Sequence, residues 1–259
     1  MIGSDVFRED ALRSKSIIVT GGGRGIGEAI SRMSAAAGAR VAVVARSADE
    51  VNSVAQAIEA AGGTALGLTA DVSDTDSVRT MCAEVEQTWG QIDAVVNNAG
   101  INPGPALGTP DAVDTAVVSD LLEINLTGAF RTIEAAAPLL LESEGTIINV
   151  ASVGGLVGLP RQHPYVASKH GMIGITRSMA IDLAPQVRVN AVAPGYVATQ
   201  LTEPLQNDAH LQASILDRTP LGRFAEPAEI AAPVVFLASD AAAYMTGSIL
   251  SIDGGWTAR

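Results

Sequence analysis

The sequence predicts a doubly wound α/β fold, a mainly parallel seven-stranded sheet with helices on both faces. Three observations carry this. Seven short apolar runs, largely β-branched, alternate with segments of helical patterning, the signature of successive βαβ units. The runs lack the alternation of a strand with one wet face, as strands covered on both sides do. The first run passes directly into a glycine-rich turn and then into a small-residue helix.

Residues 16–20 (SIIVT) form the first strand and 28–37 a helix; 41–45 (VAVVA) form the second strand, and the helix over 48–61 ends at Gly62-Gly63. A strand at 65–69, a helix at 75–88 and a strand at 92–96 come next. A long helix over 111–140 leads to a strand at 146–150, and a helix over 164–183 to a strand at 187–192. A helix over 227–238 and a strand at 248–252 close the pattern. No linker, repeat or charge block divides the chain, so residues 1–259 are expected to form one domain. Residues 194–225 are the longest stretch without a clear element. They come after the C-terminal end of a strand, where α/β proteins build a substrate lid, and are expected to form one.

Composition narrows the function. A chain of 259 residues with 47% hydrophobic residues buries a substantial core and is not disordered. The formal net charge of −12 argues against a nucleic-acid partner, which calls for a basic face. Residues 41–130 hold two of the basic and thirteen of the acidic residues, a concentration expected of solvated helix faces. The lone cysteine, Cys82, excludes an intramolecular disulfide framework and a cysteine-rich zinc site. No apolar run approaches the ~20 residues that span a bilayer, and the opening MIGSDVFRED has no signal-peptide core. A cytoplasmic protein without a membrane partner is expected.

The turn after the first strand is Gly21-Gly22-Gly23-Arg24-Gly25-Ile26-Gly27. Glycines let the backbone turn tightly and approach a pyrophosphate at a helix N-terminus. The spacing is G-x-x-x-G-x-G, and Glu28 stands where a Walker A loop requires lysine, against an ATPase or kinase. At the end of the second strand a dinucleotide enzyme selects its cofactor, with an acid for the ribose hydroxyl of NAD or an arginine for a 2′-phosphate. Here the chain reads Ala45-Arg46-Ser47. With Arg24 as a second cation, NADP(H) is the preferred cofactor. The alternative is that Arg46 is an exposed helix-entry charge and NAD(H) is also accepted.

Tyr165 and Lys169 lie four residues apart in YVASK, on one face of the expected helix. A free phenol titrates near ~10, and an adjacent ammonium favours its phenolate. Such a pair suits proton transfer near neutral pH. Ser152 ends a strand, where its hydroxyl can meet a substrate carbonyl, or simply close the strand. Asn125 lies inside an expected helix, where asparagine is a poor former; it anchors a water there, or caps a helix.

Together these residues resemble the short-chain dehydrogenase/reductase superfamily, in its single-domain branch. The resemblance runs from Ser16 to Gly255 and rests on TGGGRGIG at 20–27, Asp71-Val72, Asn97-Asn98-Ala99-Gly100, Asn125, Ser152, YVASK at 165–169, Pro194-Gly195 and the closing SDAAAYMTGSILSIDGG. It implies a Rossmann-type sheet and reversible hydride transfer between nicotinamide C4 and a carbonyl or secondary alcohol carbon. Tyr165 would be the general acid/base, and Lys169 would lower its pKa and bind the nicotinamide ribose. Ser152 would orient the carbonyl, and Asn125 would hold a water in the proton relay. Asp71 would contact the adenine. Val72, Asn98, Ala99, Gly100, Pro194, Gly195 and Val197 would line the cofactor cleft, and Thr199 would touch the carboxamide. No metal is needed, and a homotetramer pairing the long helices is expected.

The expected substrate walls are residues 101–107, 153–163 and 194–218, with Val153, His163, Tyr196 and Leu201 as candidate contacts. The middle wall, VGGLVGLPRQH, is small and largely apolar, which favours an uncharged or largely apolar small ketone or alcohol. Two alternatives stand. One is a 3-oxoacyl-carrier-protein reductase, for which Arg131 is the candidate docking cation and against which the net charge counts. The other is a non-catalytic dinucleotide sensor, against which the intact Asn125, Ser152, Tyr165 and Lys169 set counts.

Overall fold

The computed structural model describes residues 10–103 and 113–258. Seven strands, β1 (Ser16–Thr20), β2 (Arg40–Ala45), β3 (Thr64–Thr69), β4 (Ala94–Asn97), β5 (Thr146–Val150), β6 (Arg188–Pro194) and β7 (Ile249–Ile252), pair in the order β3-β2-β1-β4-β5-β6-β7. Every pairing is parallel. The connecting helices are α1 (Gly25–Ala36), α2 (Ala48–Ala60), α3 (Thr75–Trp89), α4 (Thr115–Leu122), α5 (Gly128–Glu142), α6 (His163–Asp182), α7 (Glu203–Asn207), α8 (Ala209–Arg218) and α9 (Pro227–Ala238).

The pleat explains the apolar runs. Along β1, Ile17 and Val19 pack on one side with Ile30 of α1, Val54 of α2 and Val234 of α9. Ile18 packs on the other side with Val78 and Val85 of α3 and Ile133 and Leu140 of α5. Alternate residues thus serve opposite layers, and with both faces covered the strands are mainly apolar, with the buried Asn97 Nδ2 donating to Asn149 Oδ1 at 2.9 Å between β4 and β5. Each buried Val, Ile or Leu contributes about 1.5–3 kcal/mol, so the central strands hold both layers at once.

Helix starts reflect local chemistry. Ser47 accepts from the Glu50 amide at the start of α2, and Asp74 accepts from the Asp76 and Ser77 amides at the start of α3. These caps satisfy donors that a helix N-terminus otherwise leaves orphaned. Gly90, at φ 73°, ends α3 in the left-handed conformation glycine tolerates.

The structure departs from the sequence expectations in several places, among them α1, which starts at Gly25 instead of Glu28, and β6, which runs on to Pro194. The helix expected over 111–140 is broken: α4 passes into a π-helical turn, Glu123–Thr127, before α5 resumes, and residues 111–112 lie outside the described residues. The strand expected at 92–96 begins at Ala94, because Ile92 and Asp93 belong to the approach, where the Asp93 carboxylate accepts from the Ser16 amide at 2.7 Å. The 194–225 stretch contains α7 and α8. No helix among the described residues is long and apolar enough to cross a membrane.

Candidate active site

Strand order reverses between β1 and β4, so the connections leaving these neighbours diverge to opposite faces. They open a crevice at the carboxyl ends of the strands, the place where open α/β sheets bind ligands. A cavity of about 500 Å³ occupies it.

The glycine loop forms one wall. Gly21 and Gly25 have φ of +63° and +56°, a region that favours glycine. A Cβ at Gly27 would lie 2.0 Å from the Gly21 carbonyl oxygen, so this position admits no side chain. The loop is stitched to the β4 end by Asn98, whose Nδ2 donates to the carbonyls of Thr20 and Gly21 at 2.9 and 3.1 Å. The Thr20 hydroxyl accepts from the amides of Asn98 and Ala99, both at 3.1 Å. Arg24 precedes α1 but makes no side-chain cap bond. The first turn of α1 thus faces the cavity with its amides and the positive end of the helix dipole, a cradle suited to a pyrophosphate.

At the β2 end, Arg46 lines the same cavity, and so does Glu50. Arg24 Nη1 lies 3.4 Å from Glu50 Oε1 and 3.3 Å from Gln200 Oε1. Asp71 accepts from the Ser73 amide and hydroxyl at 2.9 and 2.6 Å. Those bonds, with Arg46 and Arg131 nearby, hold its carboxyl below the usual range against an opposing effect of burial. The cations read from the sequence are thus each accompanied by an acid.

At the other end, Ser152, Tyr165 and Lys169 line the cavity together. Ser152 comes just after β5, and its hydroxyl accepts from the Gly154 amide at 3.1 Å, fixing a single 3₁₀ turn. Tyr165 and Lys169 share one face of α6, with Lys169 Nζ 5.7 Å from the Tyr165 ring centroid. Lys169 is 5% exposed and donates to the Val150 carbonyl at 2.8 Å. Burial pulls its pKa down to about 8. Burial also pushes the Tyr165 phenol above its ordinary value, opposed by a hydrogen bond with Ser152. The ammonium thus lies over the Tyr165 ring and is bonded to a main-chain carbonyl.

Asn125 is fully buried in the π-turn. Its Oδ1 accepts from the Ile101 amide at 2.7 Å and its Nδ2 donates to the Ile101 carbonyl at 2.8 Å. Nδ2 also lies 3.4 Å from Ser168 Oγ. The Asn125 side-chain amide thus ties the π-turn to the Ile101 segment and lies beside α6.

The cavity brings together every site residue read from the sequence except Asp71, Asn125, Val153, His163 and Tyr196. Val153 is buried in the 3₁₀ turn, and His163 is exposed at the start of α6. Tyr196 packs edge-on to Phe224 and Trp256, with centroids 6.0 Å apart in each case. Of the expected walls, residues 104–107 lie outside the described residues. Gln200 and Thr202, within the expected 194–218 wall but not singled out, also line the cavity, as do Glu50 and Ile124, which the sequence reading missed. Glu50 had a legible signal, since Ser47-Ala48-Asp49-Glu50 has the Ser-x-x-Glu spacing of a helix start. The residues present fit a nicotinamide dinucleotide: a side-chain-free amide cradle, cations beyond it, and a phenol and ammonium at the far end.

Comparison with known proteins agrees. A family model described as enoyl-(acyl carrier protein) reductase matches residues 21–257. The L-rhamnose 1-dehydrogenase (NAD(P)(+)) of Azotobacter vinelandii is 41% identical over 252 residues, covering 94% of this chain and 97% of that protein. The 3-oxoacyl-(acyl-carrier-protein) reductase FabG of Staphylococcus aureus is 40% identical over 245 residues, covering 93% and 98%. The crystal structure of a short-chain type dehydrogenase/reductase from Mycobacterium marinum aligns with a TM-score of 0.91 at 39% identity, covering 98% of this chain and 99% of that one. The chain belongs to the short-chain dehydrogenase/reductase superfamily and is an NAD(P)(H)-dependent oxidoreductase of carbonyl and alcohol groups.

Proposed function

We propose that this chain reversibly reduces a small, uncharged or largely apolar carbonyl compound, taking NADP(H) in preference to NAD(H), with Tyr165 as the general acid/base. The observation that carries this is the convergence of Ser152, Tyr165 and Lys169 on the cleft that also holds the glycine loop. A nicotinamide cofactor held in this cleft would supply or accept the hydride. The chain's own residues handle the proton. In reduction, the Tyr165 hydroxyl donates to the carbonyl oxygen as negative charge develops there, and the Ser152 hydroxyl donates to the same oxygen and orients it. Lys169 stabilises the phenolate left behind and binds the cofactor ribose. Asn125 is a positioning residue, fixing the Ile101 segment along the cavity wall.

The cofactor preference is supported by Arg24 and Arg46 at the rim and by the charge-assisted contacts that guanidinium makes with phosphate. Gly21, Gly23, Gly25, Ile26 and Gly27 would cradle the pyrophosphate. Asn98, Ala99, Gly100, Pro194, Gly195, Val197 and Thr199 would line the nicotinamide half, with Leu201 toward substrate. Residues 194–225, with α7 and α8, would act as the lid of one domain formed by the whole chain. A homotetramer working in the cytoplasm is the accompanying reading. Its support is the exposed apolar side chains on the long helices, Phe130 and Leu141 on α5 and Ile181 on α6.

Tyr165→Phe tests the mechanism. The variant should bind NADPH as the parent does, measured by fluorescence titration, while turnover of a ketone panel falls by about 10²–10⁴-fold, the usual contribution of a general acid. Undiminished turnover would refute the role of Tyr165.

The similarity to FabG favours a second reading, reduction of a 3-oxoacyl group carried on an acyl carrier protein. Arg131 counts against it. Its guanidinium donates to Thr75 Oγ1 at 3.1 Å and the Val72 carbonyl at 3.4 Å and pairs with Glu123. This cation holds α3, the π-turn and α5 together instead of standing free for a docking partner.

A further inference from the structure

We propose that Glu50 is a specificity-determining residue that holds the NADP/NAD preference of this enzyme down, by occupying Arg24 and placing a negative charge where a 2′-phosphate must be received. The inference rests on the proposed reading of Arg24 and Arg46 as the 2′-phosphate cations.

Glu50 is placed by its helix. Ser47 caps α2, and its hydroxyl accepts from the Glu50 amide at 3.3 Å, so Glu50 stands in the first turn of α2 and turns back toward the glycine loop. The approach is close: a Cβ built on Gly23 would lie 2.8 Å from the Glu50 Cβ and 3.3 Å from its Oε2. The carboxylate therefore lies against the loop backbone and lines the cavity beside Arg24 and Arg46.

Its partner is Arg24, at 3.4 Å, and the same Arg24 nitrogen reaches Gln200 at 3.3 Å. The guanidinium is thus drawn between α2 and the 194–225 segment. An arriving anion meets two costs. A dianionic phosphate must compete with a carboxylate for Arg24, and it must tolerate that carboxylate nearby. A ribose 2′-hydroxyl has neither cost and meets in Glu50 an acceptor for its proton. The acid absent from the end of β2 is in effect supplied one turn later, from the next helix.

The pair is part-exposed, with side-chain exposures of 63% for Arg24 and 36% for Glu50, so its worth is that of a surface ion pair. Breaking it should change phosphate affinity about two- to fivefold. A wholesale change of cofactor is not expected, because Arg46 remains.

The experiment is calorimetric titration of the full-length protein with adenosine 2′,5′-bisphosphate and with AMP, which reads the rim without turnover, and then with NADPH and NADH. Glu50→Gln should tighten the bisphosphate and NADPH about two- to fivefold while leaving AMP and NADH unchanged or slightly weaker. The gain should shrink as salt is raised, since exposed charges are screened. Glu50→Ala should shift in the same direction. An unchanged or reduced bisphosphate-to-AMP ratio in both variants would overturn the inference. Arg46→Ala separates this from failure of the underlying reading: loss of bisphosphate affinity upholds the cation site independently of Glu50. Indifference of both Arg46→Ala and Arg24→Ala would remove the cation site and the role of Glu50 with it.

Discussion

Tyr165 and Lys169 show how burial sets the working range of a proton-transfer pair. The phenol lies above its ordinary pKa and the ammonium has come down to about 8, each because burial disfavours its charged form. Carbonyl reduction needs the phenol protonated, which its raised pKa secures through neutral pH, and the ammonium charged, which holds only below about 8. The kcat/KM for reduction should therefore be flat through neutrality and fall as pH rises through about 8, where Lys169 loses its proton. Lys169→Arg, whose cation does not titrate in this range, should lower the plateau but move the alkaline fall upward. A fall that stays in place in the arginine variant would assign it to another group. These two residues were legible in the sequence because the chemistry lies within one helical turn. For Glu50 only the helix start was legible; its place at the cavity rim was not, because that comes from Arg24, 26 residues away.

Among the elements, the strands were the most legible, because burial on both faces forces an apolar run whose ends the neighbouring glycines and caps mark. The π-turn was less so. Asn125 stood out as a poor helix former, but nothing local showed that its amide closes two bonds on Ile101, 24 residues earlier in the chain. A π-turn inserts an extra residue into the helical ladder and re-aims the helix beyond it; here it separates α4 from α5 and lets Asn125 reach the loop after β4. α7 and α8 were missed because they are short and carry few buried residues, Ile215 alone among them, so no apolar periodicity marks them. Asn125→Ala should expose the cost of the clamp. It leaves the Ile101 amide and carbonyl without their partner, and should lower stability by about 2–3 kcal/mol in denaturant titration. Asn125→Asp keeps the acceptor for the Ile101 amide but sets a second oxygen against the Ile101 carbonyl and buries a charge, so it should lose at least as much. A loss below about 0.5 kcal/mol in the alanine variant would show that the clamp is not what Asn125 contributes.

For the whole molecule, the net charge of −12 means different things for a small anion and for an acidic protein. It does not keep out an anionic dinucleotide, because Arg24, Arg46 and the first turn of α1 line the phosphate end and act at contact range. An acidic carrier protein is a different case, since it is steered by the field of the entire surface. The one cation that the sequence offered for docking, Arg131, is only 18% exposed at its side chain and is paired with Glu123. The far end of α6 presents Ile181, 79% exposed, and next to it an acid, Asp182. The same 3-oxoacyl group should therefore be reduced no faster, in kcat/KM, on an acyl carrier protein than on a small uncharged thioester such as N-acetylcysteamine. At low ionic strength the carrier-borne substrate should be the poorer of the two. Raising salt shortens the Debye length to about 8 Å near 0.15 M, so the difference should narrow as long-range repulsion is screened, while the rate on the uncharged thioester stays level. A carrier-borne substrate favoured at low salt, with an advantage that salt erodes, would mean that a basic docking patch overrides the net charge, and would restore carrier-protein reduction as the principal activity.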